Sequence, residues 1–397
     1  MGTALLARLD LPPLTTVHSG IIVDIYTNQE PTVGLRTPGA EFFTKGLGQM
    51  SNNFALEHMS VSRLQRRKRC ERADWWHVEG SRGGYRSDAS ETAKAAYRLK
   101  RMSSLPALIG QLLHEMAAMR ARDLRDGRRP LDEESMWALM RSRLNRAVRP
   151  PRLAGQFGRA GRREPPNEHR GDGMDAPPPL REIALGEWPG GRIPPAVAAA
   201  AAEQARGSLR RMLSHPVWEE VAECGAGDVL QADALDALPV DIGSHQLHLF
   251  AAPDLVWRSN RRAELPSYGV PLLPPVLYVV DWKSGRADRW QESARAVLAT
   301  YAGWTMDKHN LTGTPHTVVG WIAALGDPDG GGDLQLVLSQ ADLAAARGLV
   351  IAEGRRVAEA RRPDGTVPME STMRQLDGCR FCAFTSLCLN DEVAPTP

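Results

Sequence analysis

Cys70, Cys379, Cys382 and Cys388 are spaced so that one metal centre could gather them. A turn over Cys379-x2-Cys382 points two sulfurs at a common site, Cys388 follows after five intervening residues, and Cys70 lies far upstream. A centre holding all four would clip the early chain to its end. A second set of residues suits phosphate chemistry. Asp254 follows Pro253 and opens one apolar run, Asp281 closes another, and Lys283 falls on the same side of a strand as Asp281 because side chains alternate. Hard carboxylate oxygens suit Mg²⁺ or Mn²⁺, and a lysine adds a point charge that can orient a water or offset charge on a phosphate. A charged residue at a strand end is commonly a solvated terminus. Asp281-Trp282-Lys283 differs in standing after an apolar run, before Ser284-Gly285, and downstream of Pro253-Asp254.

Particular elements must position these groups. Leu105, Leu108, Ile109, Leu112, Leu113, Met116 and Met119 recur at helical spacing, predicting a helix over residues 105–126 that closes on Gly127. His114 lies opposite that stripe beside Gly110 and Ala117, a face that another element can approach closely. A basic helix is expected over 62–76, N-capped by Ser60 or Ser62, with Cys70 near its end, and an Ala-rich helix over 194–213. Short β-type runs follow at 247–250, 254–257 and 276–280, then a helix over 289–308, strands at 317–325 and 334–338, and a helix over 340–361. Strands interleaved with helices predict an α/β core with an added helical region.

The chain has 397 residues, 42% of them apolar, enough to bury a core, and its formal net charge of +2 announces no polyanion partner as a whole. Its apolar stretches fall short of the roughly 20 residues that cross a bilayer. Met1-Gly2-Thr3-Ala4-Leu5-Leu6 lacks both a basic n-region and a myristoylation serine or threonine, so a cytoplasmic location with no membrane partner is expected. In a reducing compartment five cysteines, three of them within 379–388, suggest ligation more than disulfides. Residues 1–58 read as an N-terminal extension of unassigned role, strand-like only at 20–26; a start at Met50 or Met59 fits as well. Residues 149–180, rich in Pro, Gly and Arg, read as a linker or solvated insertion.

Taken in order, these residues resemble the PD-(D/E)xK nuclease superfamily, in particular its RecB-like branch. That branch carries Gly-x3-His-Glu on a helix, then Pro-Asp or Gly-x-x-Asp, then Asp-x-Lys-Ser/Thr-Gly. This chain has Gly110 to His114-Glu115, Pro253-Asp254 and Asp281-Trp282-Lys283-Ser284-Gly285 in that order. The resemblance implies a restriction-endonuclease-like fold, a central mixed sheet flanked by helices. It implies ligation of Mg²⁺ or Mn²⁺ by His114, Asp254, Asp281 and the backbone carbonyl of Trp282, with Lys283 acting on the attacking water. The cysteine spacing is similar to the iron–sulfur clasp of AddB-type nucleases and CRISPR-associated exonucleases, where one early cysteine and a terminal Cys-x2-Cys-x5-Cys hold a 4Fe–4S cluster; four thiolates are the usual ligand set. On this reading 59–148 is the helical part of the nuclease domain and 181–397 holds its core and clasp. Zinc at the same four cysteines, or their packing as small hydrophobes beside Phe381, Phe384 and Leu387, stays open; Cys224 has no partner in the scheme.

The implied activity is a metal-dependent deoxyribonuclease, exonuclease in type, acting on single-stranded or end-exposed DNA in recombination, repair or antiviral defence. Arg66 and Arg69, in the basic cluster around Cys70, would track the phosphate backbone, with Trp75 and Trp76 available to stack bases. Tyr301 stands where the family places a substrate-contacting tyrosine. No Gly-x4-Gly-Lys-Ser/Thr occurs, so any unwinding would come from a helicase or another defence or recombination subunit. The family's Gln-x3-Tyr has Val297 at its Gln position, and Gln291 is about 80° out of phase. A catalytically weak or inactive DNA-binding scaffold subunit therefore stands beside the active enzyme, and a zinc-stabilised interaction protein beside both.

Overall fold

The computed structural model describes residues 57–147 and 193–390, apart from 244, 262, 266–269, 273, 285–290, 314, 327–331, 376–378, 380 and 381. The run at 20–26 and the segment 149–180 lie outside the described residues. The strands are β1 (Glu57–Ser60), β2 (Val229–Gln231), β3 (Asp236–Asp241), β4 (Gln246–Ala251), β5 (Leu255–Ser259), β6 (Ala263–Leu265), β7 (Val270–Leu272), β8 (Val276–Lys283), β9 (Thr317–Ala324) and β10 (Leu334–Leu338). The helices are α1 (Val61–Arg69), α2 (Glu71–Trp75), α3 (Glu91–Arg101), α4 (Leu105–Arg125), α5 (Glu133–Ala147), α6 (Pro195–Leu213), α7 (Val217–Ala222), α8 (Gln291–Lys308), α9 (Gln340–Ala360) and α10 (Thr385–Asn390), with a π-turn over Trp76–Gly80. None of them is long and apolar enough to cross a membrane.

This is a mixed α/β protein. Its main sheet runs β10-β9-β8-β5-β2, with β8 and β9 parallel and the other neighbours antiparallel. A smaller mixed sheet, β1-β4-β3, has β1 parallel to β4 and β3 antiparallel to it, and β6 and β7 form a separate ribbon. A strand covered on both faces needs apolar side chains on both, so β8 reads as a continuous apolar run instead of an alternating one. Val276, Tyr278, Val280 and Trp282 join the core shared with α4, α5, α6 and α7. Leu277 and Val279 join the opposite core, shared with α1, α8, α9 and the smaller sheet.

The expected strands and helices appear with ends shifted by a few residues. The exception is the basic helix, which breaks at Cys70. Ser60 caps α1 by accepting the Arg63 amide at 3.1 Å, and Cys70 then turns extended (φ −168°), closing α1 and opening α2. The reason lies in what surrounds it. Asp74 of α2 folds back onto α1, taking Arg63 Nε at 3.0 Å and Arg66 at 3.3 Å, with Arg67 at 3.7 Å. Arg67 also meets Glu71 and, on α9, Glu353 at 3.0 Å, while Arg356 meets Glu71 at 2.6 Å. Part of the basic cluster is thus an internal network. Removing Asp74 would take away the buried carboxylate that Arg63 and Arg66 share with Arg67, so Asp74→Ala is expected to lower the unfolding free energy by about 3 kcal/mol. Asp88→Ala, which breaks an exposed pair with Arg86, should leave the denaturation midpoint unchanged; equal midpoints for the two variants would contradict the network's role.

Candidate active site and cysteine cluster

Asp254 immediately precedes β5, and Asp281, Trp282 and Lys283 end β8. Leu255 pairs with Val280 across these antiparallel strands, so the start of one lies beside the end of the other. Helix α4 crosses the same end. A Cβ at Gly110 would stand 2.9 Å from Ser284 Oγ, so the absent side chain is what lets the helix approach the residue after β8. One turn later His114 Nδ1 lies 2.9 Å from Asp254 Oδ1. The other oxygen, Oδ2, accepts the Trp282 amide at 2.7 Å. Lys283 Nζ lies 2.7 Å from both oxygens of Asp281, the same-side placement that alternation requires. The four side chains named from the sequence therefore meet at one end of the sheet, His114 reaching it from one face and Tyr301 of α8 from the other.

Burial sets the charge state. It pushes the Asp281 carboxyl up to about 6, against Lys283 and with the Asp254 charge beside it. Burial also acts on Asp254, but His114, Lys283 and hydrogen-bond contact with Asp281 outweigh it and hold Asp254 below the usual carboxylate range. Asp254 is thus the stronger acid of the two, and Asp281 keeps its proton up to about pH 6. For His114, burial opposes the imidazolium, and Asp254 overcomes it, raising the ring's pKa. Burial lifts the Tyr301 hydroxyl well above its ordinary value, with Asp281, Asp254 and Asp233 adding to the effect.

Asp233 was not singled out in the sequence. It sits after β2 in the left-handed region (φ 46°), its amide donating to the carbonyls of Asp254 at 3.1 Å and Pro253 at 3.3 Å. Burial and the Asp254 charge push its carboxyl up to about 7. The only local hint is an Asp in a short polar break, a residue type that tolerates φ > 0. Its meaning depends on Asp254, which is distant in sequence.

The end of β8 is braced from its other face. Trp282 stacks on Trp218 at 5.5 Å and takes the edge of His215 at 5.2 Å. His215 Nδ1 accepts the Val217 amide at 3.3 Å, leaving Nε2 to donate to Asp333 at 2.8 Å. Asp333 also accepts Trp321 Nε1 at 3.0 Å and the amide of Ala324 at 2.9 Å, and Ala324 is the register partner of Lys283.

A divalent cation fits this donor set chemically. Two buried carboxyls stand in contact, Asp281 with its pKa raised to about 6, and an imidazole stands against Asp254. As arranged, the groups face one another in pairs, Asp281 with Lys283 and His114 with Asp254, while His114 Nδ1 and Asp281 Oδ2 are buried with no hydrogen bond of good geometry. Among the described residues no three His, Cys, Asp or Glu side chains stand at the distances of one bound ion, so ligation requires these pairs to part.

The four cysteines come together at the other end of α1. Burial raises the Cys382 thiol, and the nearby Cys70, Cys379 and Cys388 raise it further. Burial likewise raises Cys388, against Arg374 and Arg72 and with Cys70 and Cys379. All four are free thiols. The tail that carries three of them is sewn to α2: the Arg72 amide donates to the Met373 carbonyl at 3.1 Å, Arg72 Nε to Thr372 Oγ1 at 2.8 Å, the Met373 amide to Glu71 at 3.0 Å, and Trp75 Nε1 to the Val367 carbonyl at 2.5 Å. The four thiols are near enough to influence one another, and among the described residues no three of them stand at the distances of one bound ion. Arg69, Arg72 and Arg374 lie close enough to influence thiolate charge. Cys224 stands apart, its thiol donating to the Glu220 carbonyl and pushed up to about 11 by burial.

The remaining named residues divide. Arg66 is engaged with Asp74, whereas Arg69 is exposed beside Cys382. Trp76 is buried and edge-on to Trp75 at 5.0 Å, both packed with Phe384, Cys382 and Cys388, so this pair is structural instead of a base-stacking surface. Val297 packs in the core between the main sheet and α8. No protein-family model matches the chain, and no curated protein matches it.

Asp281, Asp233 and His114 all hold protons in the folded state above the pH at which the unfolded groups release them, near 3.9 for Asp and 6.5 for His. The folded protein therefore binds more protons over that interval, and stability falls as pH rises through it. Without metal, stability should decline from about pH 4 to about pH 7. Asp281→Asn and Asp233→Asn should each flatten the decline in denaturant titrations run in chelator. A wild-type profile parallel to both variants would contradict the assigned charge states.

Proposed function

We propose that the protein is a metal-dependent DNA nuclease of the RecB-like PD-(D/E)xK type, hydrolysing phosphodiester bonds in single-stranded or end-exposed DNA, with a 4Fe–4S clasp joining α1 and α2 to the C-terminal tail. The observation that carries it is the Asp254 carboxylate, which faces His114 and holds the Trp282 amide while the Asp281–Lys283 pair ends the same strand.

A bound Mg²⁺ or Mn²⁺ would be held by His114, Asp254, Asp281 and the Trp282 carbonyl, neutralising phosphate charge and lowering the pKa of a water. The chain's own groups do the rest. Asp254, already anionic, needs no deprotonation before binding a cation. Asp281 and His114 must give up protons, so metal affinity should rise with pH. Lys283, released from Asp281, orients the attacking water through its ammonium. The water's oxygen would form a bond to phosphorus as the bond to the leaving oxygen breaks, the attacking water giving its proton to solvent and the leaving oxygen taking one from solvent. Asp254 and Asp281 are both buried, which strengthens each electrostatic contact around them.

The four thiols bear on the second half of the reading. Cys70 would tie the α1–α2 break to Cys379, Cys382 and Cys388 of the tail, a structural role in which the cluster replaces disulfides that a reducing compartment would not preserve. Val297 favours a second reading, a nuclease-fold subunit that binds DNA without efficient turnover, because this position offers the scissile phosphate no amide.

Protein purified without oxygen should be brown, with iron and sulfide each near four per chain, and Cys388→Ala should lose the colour; colourless protein holding one zinc would overturn the clasp. Mn²⁺ should support cleavage of single-stranded DNA, and Asp281→Ala and Lys283→Ala should each reduce it at least a hundredfold. If Lys283→Ala cleaves as fast as wild type, the active-site assignment is wrong. Binding without cleavage by the wild type would select the second reading.

A further inference from the structure

With Trp75 and Trp76 committed to the interior, a different pair of rings faces solvent. Tyr85 is 66% exposed, the most exposed large apolar side chain among the described residues, and its ring lies 5.9 Å from that of Tyr97 at 59°. Two glycines create this arrangement. Gly83 adopts φ +69°, and a Cβ at Gly84 would stand 2.2 Å from the Ala93 carbonyl oxygen and 2.6 Å from Tyr97 Cβ, so only glycine lets the loop lie on α3 and set one tyrosine beside the other. Arg101 lies over the Tyr97 ring at 5.5 Å and donates to its hydroxyl at 2.8 Å.

The surroundings are basic. Residues 82–101 hold six basic side chains (Arg82, Arg86, Lys94, Arg98, Lys100, Arg101) against two acidic ones (Asp88, Glu91), in a chain whose whole net charge is +2. Arg82 and Arg86 flank Tyr85, and their pairs with Glu79 and Asp88, both at 2.9 Å, leave the guanidinium ends exposed. The Arg86–Asp88 pair, exposed on both sides, contributes little and leaves Arg86 able to turn to a phosphate, while Arg82 extends outward from a buried Glu79. The opposite side of α3 packs on the cysteine cluster through Ala96 and Leu99, which fixes the platform to the clasp. Arg101 is also separated from α4 only by Met102–Ser104, and His114 is nine residues along that helix, about 14 Å away by helical rise.

We propose that Tyr85 and Tyr97, with Arg82, Arg86, Arg98 and Arg101 around them, form a stacking platform that grips single-stranded nucleic acid beside the clasp and leads it toward His114. Aromatic faces take any base, and the arginines follow the phosphates, so the grip is sequence-tolerant and salt-dependent. The assignment rests on a nucleic-acid substrate and does not depend on cleavage.

The test is the anisotropy of labelled oligothymidylate with full-length, cluster-containing protein in chelator, where no cleavage occurs. Tyr85→Ala should weaken binding about tenfold and Tyr85→Phe should retain it, since the ring and not the hydroxyl stacks. Arg98→Ala should reduce the slope of log affinity against log salt by about one. Tyr85 is exposed, so its substitution leaves folding intact, as an unchanged melting curve will show. Wild-type affinity in Tyr85→Ala, or no oligonucleotide binding by the wild type, overturns the platform. Tyr85-dependent binding without Mn²⁺-dependent cleavage supports the platform while removing the nuclease assignment.

Discussion

The Asp254 carboxylate is the point on which the functional end of the sheet depends. One oxygen holds the amide of Trp282, the other faces His114, and the residue's carbonyl receives the amide of Asp233. Helix α4, strand β8 and the turn after β2 are therefore oriented by a single buried anion. A buried carboxylate is stable only when its lone pairs are met. Here one oxygen accepts a backbone amide and the other faces a titratable ring, an arrangement that positions elements around the charge. The Trp282 side chain points the other way and is locked by Trp218, His215 and Asp333, so the peptide between Asp281 and Lys283 is held from both sides of the sheet.

The cysteine end is organised on similar lines with different chemistry. Asp74 anchors Arg63, Arg66 and Arg67, Glu71 reaches forward to Met373, and Glu353 ties the group to α9. Ion pairs of this depth give position more than net stability, since desolvation offsets most of their attraction. Their effect is to hold Cys70 in an extended break between two helices, where its thiol can face a tail some three hundred residues away in sequence. The acidic and basic groups thus set the geometry before any cofactor is present.

Much of this was legible in the sequence where periodicity was long or motif spacing was local. Helix α4 declared itself through seven apolar residues in phase, and the closeness of its Gly110 face to another element followed from the missing side chain. The shared side of Asp281 and Lys283 followed from strand alternation. What escaped was set by distant partners. The arginines around Cys70 read as a solvated or DNA-tracking face because the acids that neutralise them are spread over Glu71, Asp74 and Glu353. Strand β1 has four residues and one inward apolar side chain, Met59, too little to signal a strand without its parallel partner β4. Trp75 and Trp76 gave no sign of burial until Phe384 and the tail thiols were brought against them.

Val297 and Tyr301 are four residues apart on α8, which places them on one face of the helix. Tyr301 looks onto the carboxyls and Val297 fills the apolar core beside them. A glutamine there would have brought a donor able to share the anionic charge; valine leaves that charge to His114, Lys283 and the Trp282 amide alone. Burial is the main reason Asp281 holds its proton to about pH 6, with the Asp254 charge adding to it against Lys283. On the proposed nuclease reading, a valine at 297 offers the phosphate no amide, and a bound cation would carry more of its charge.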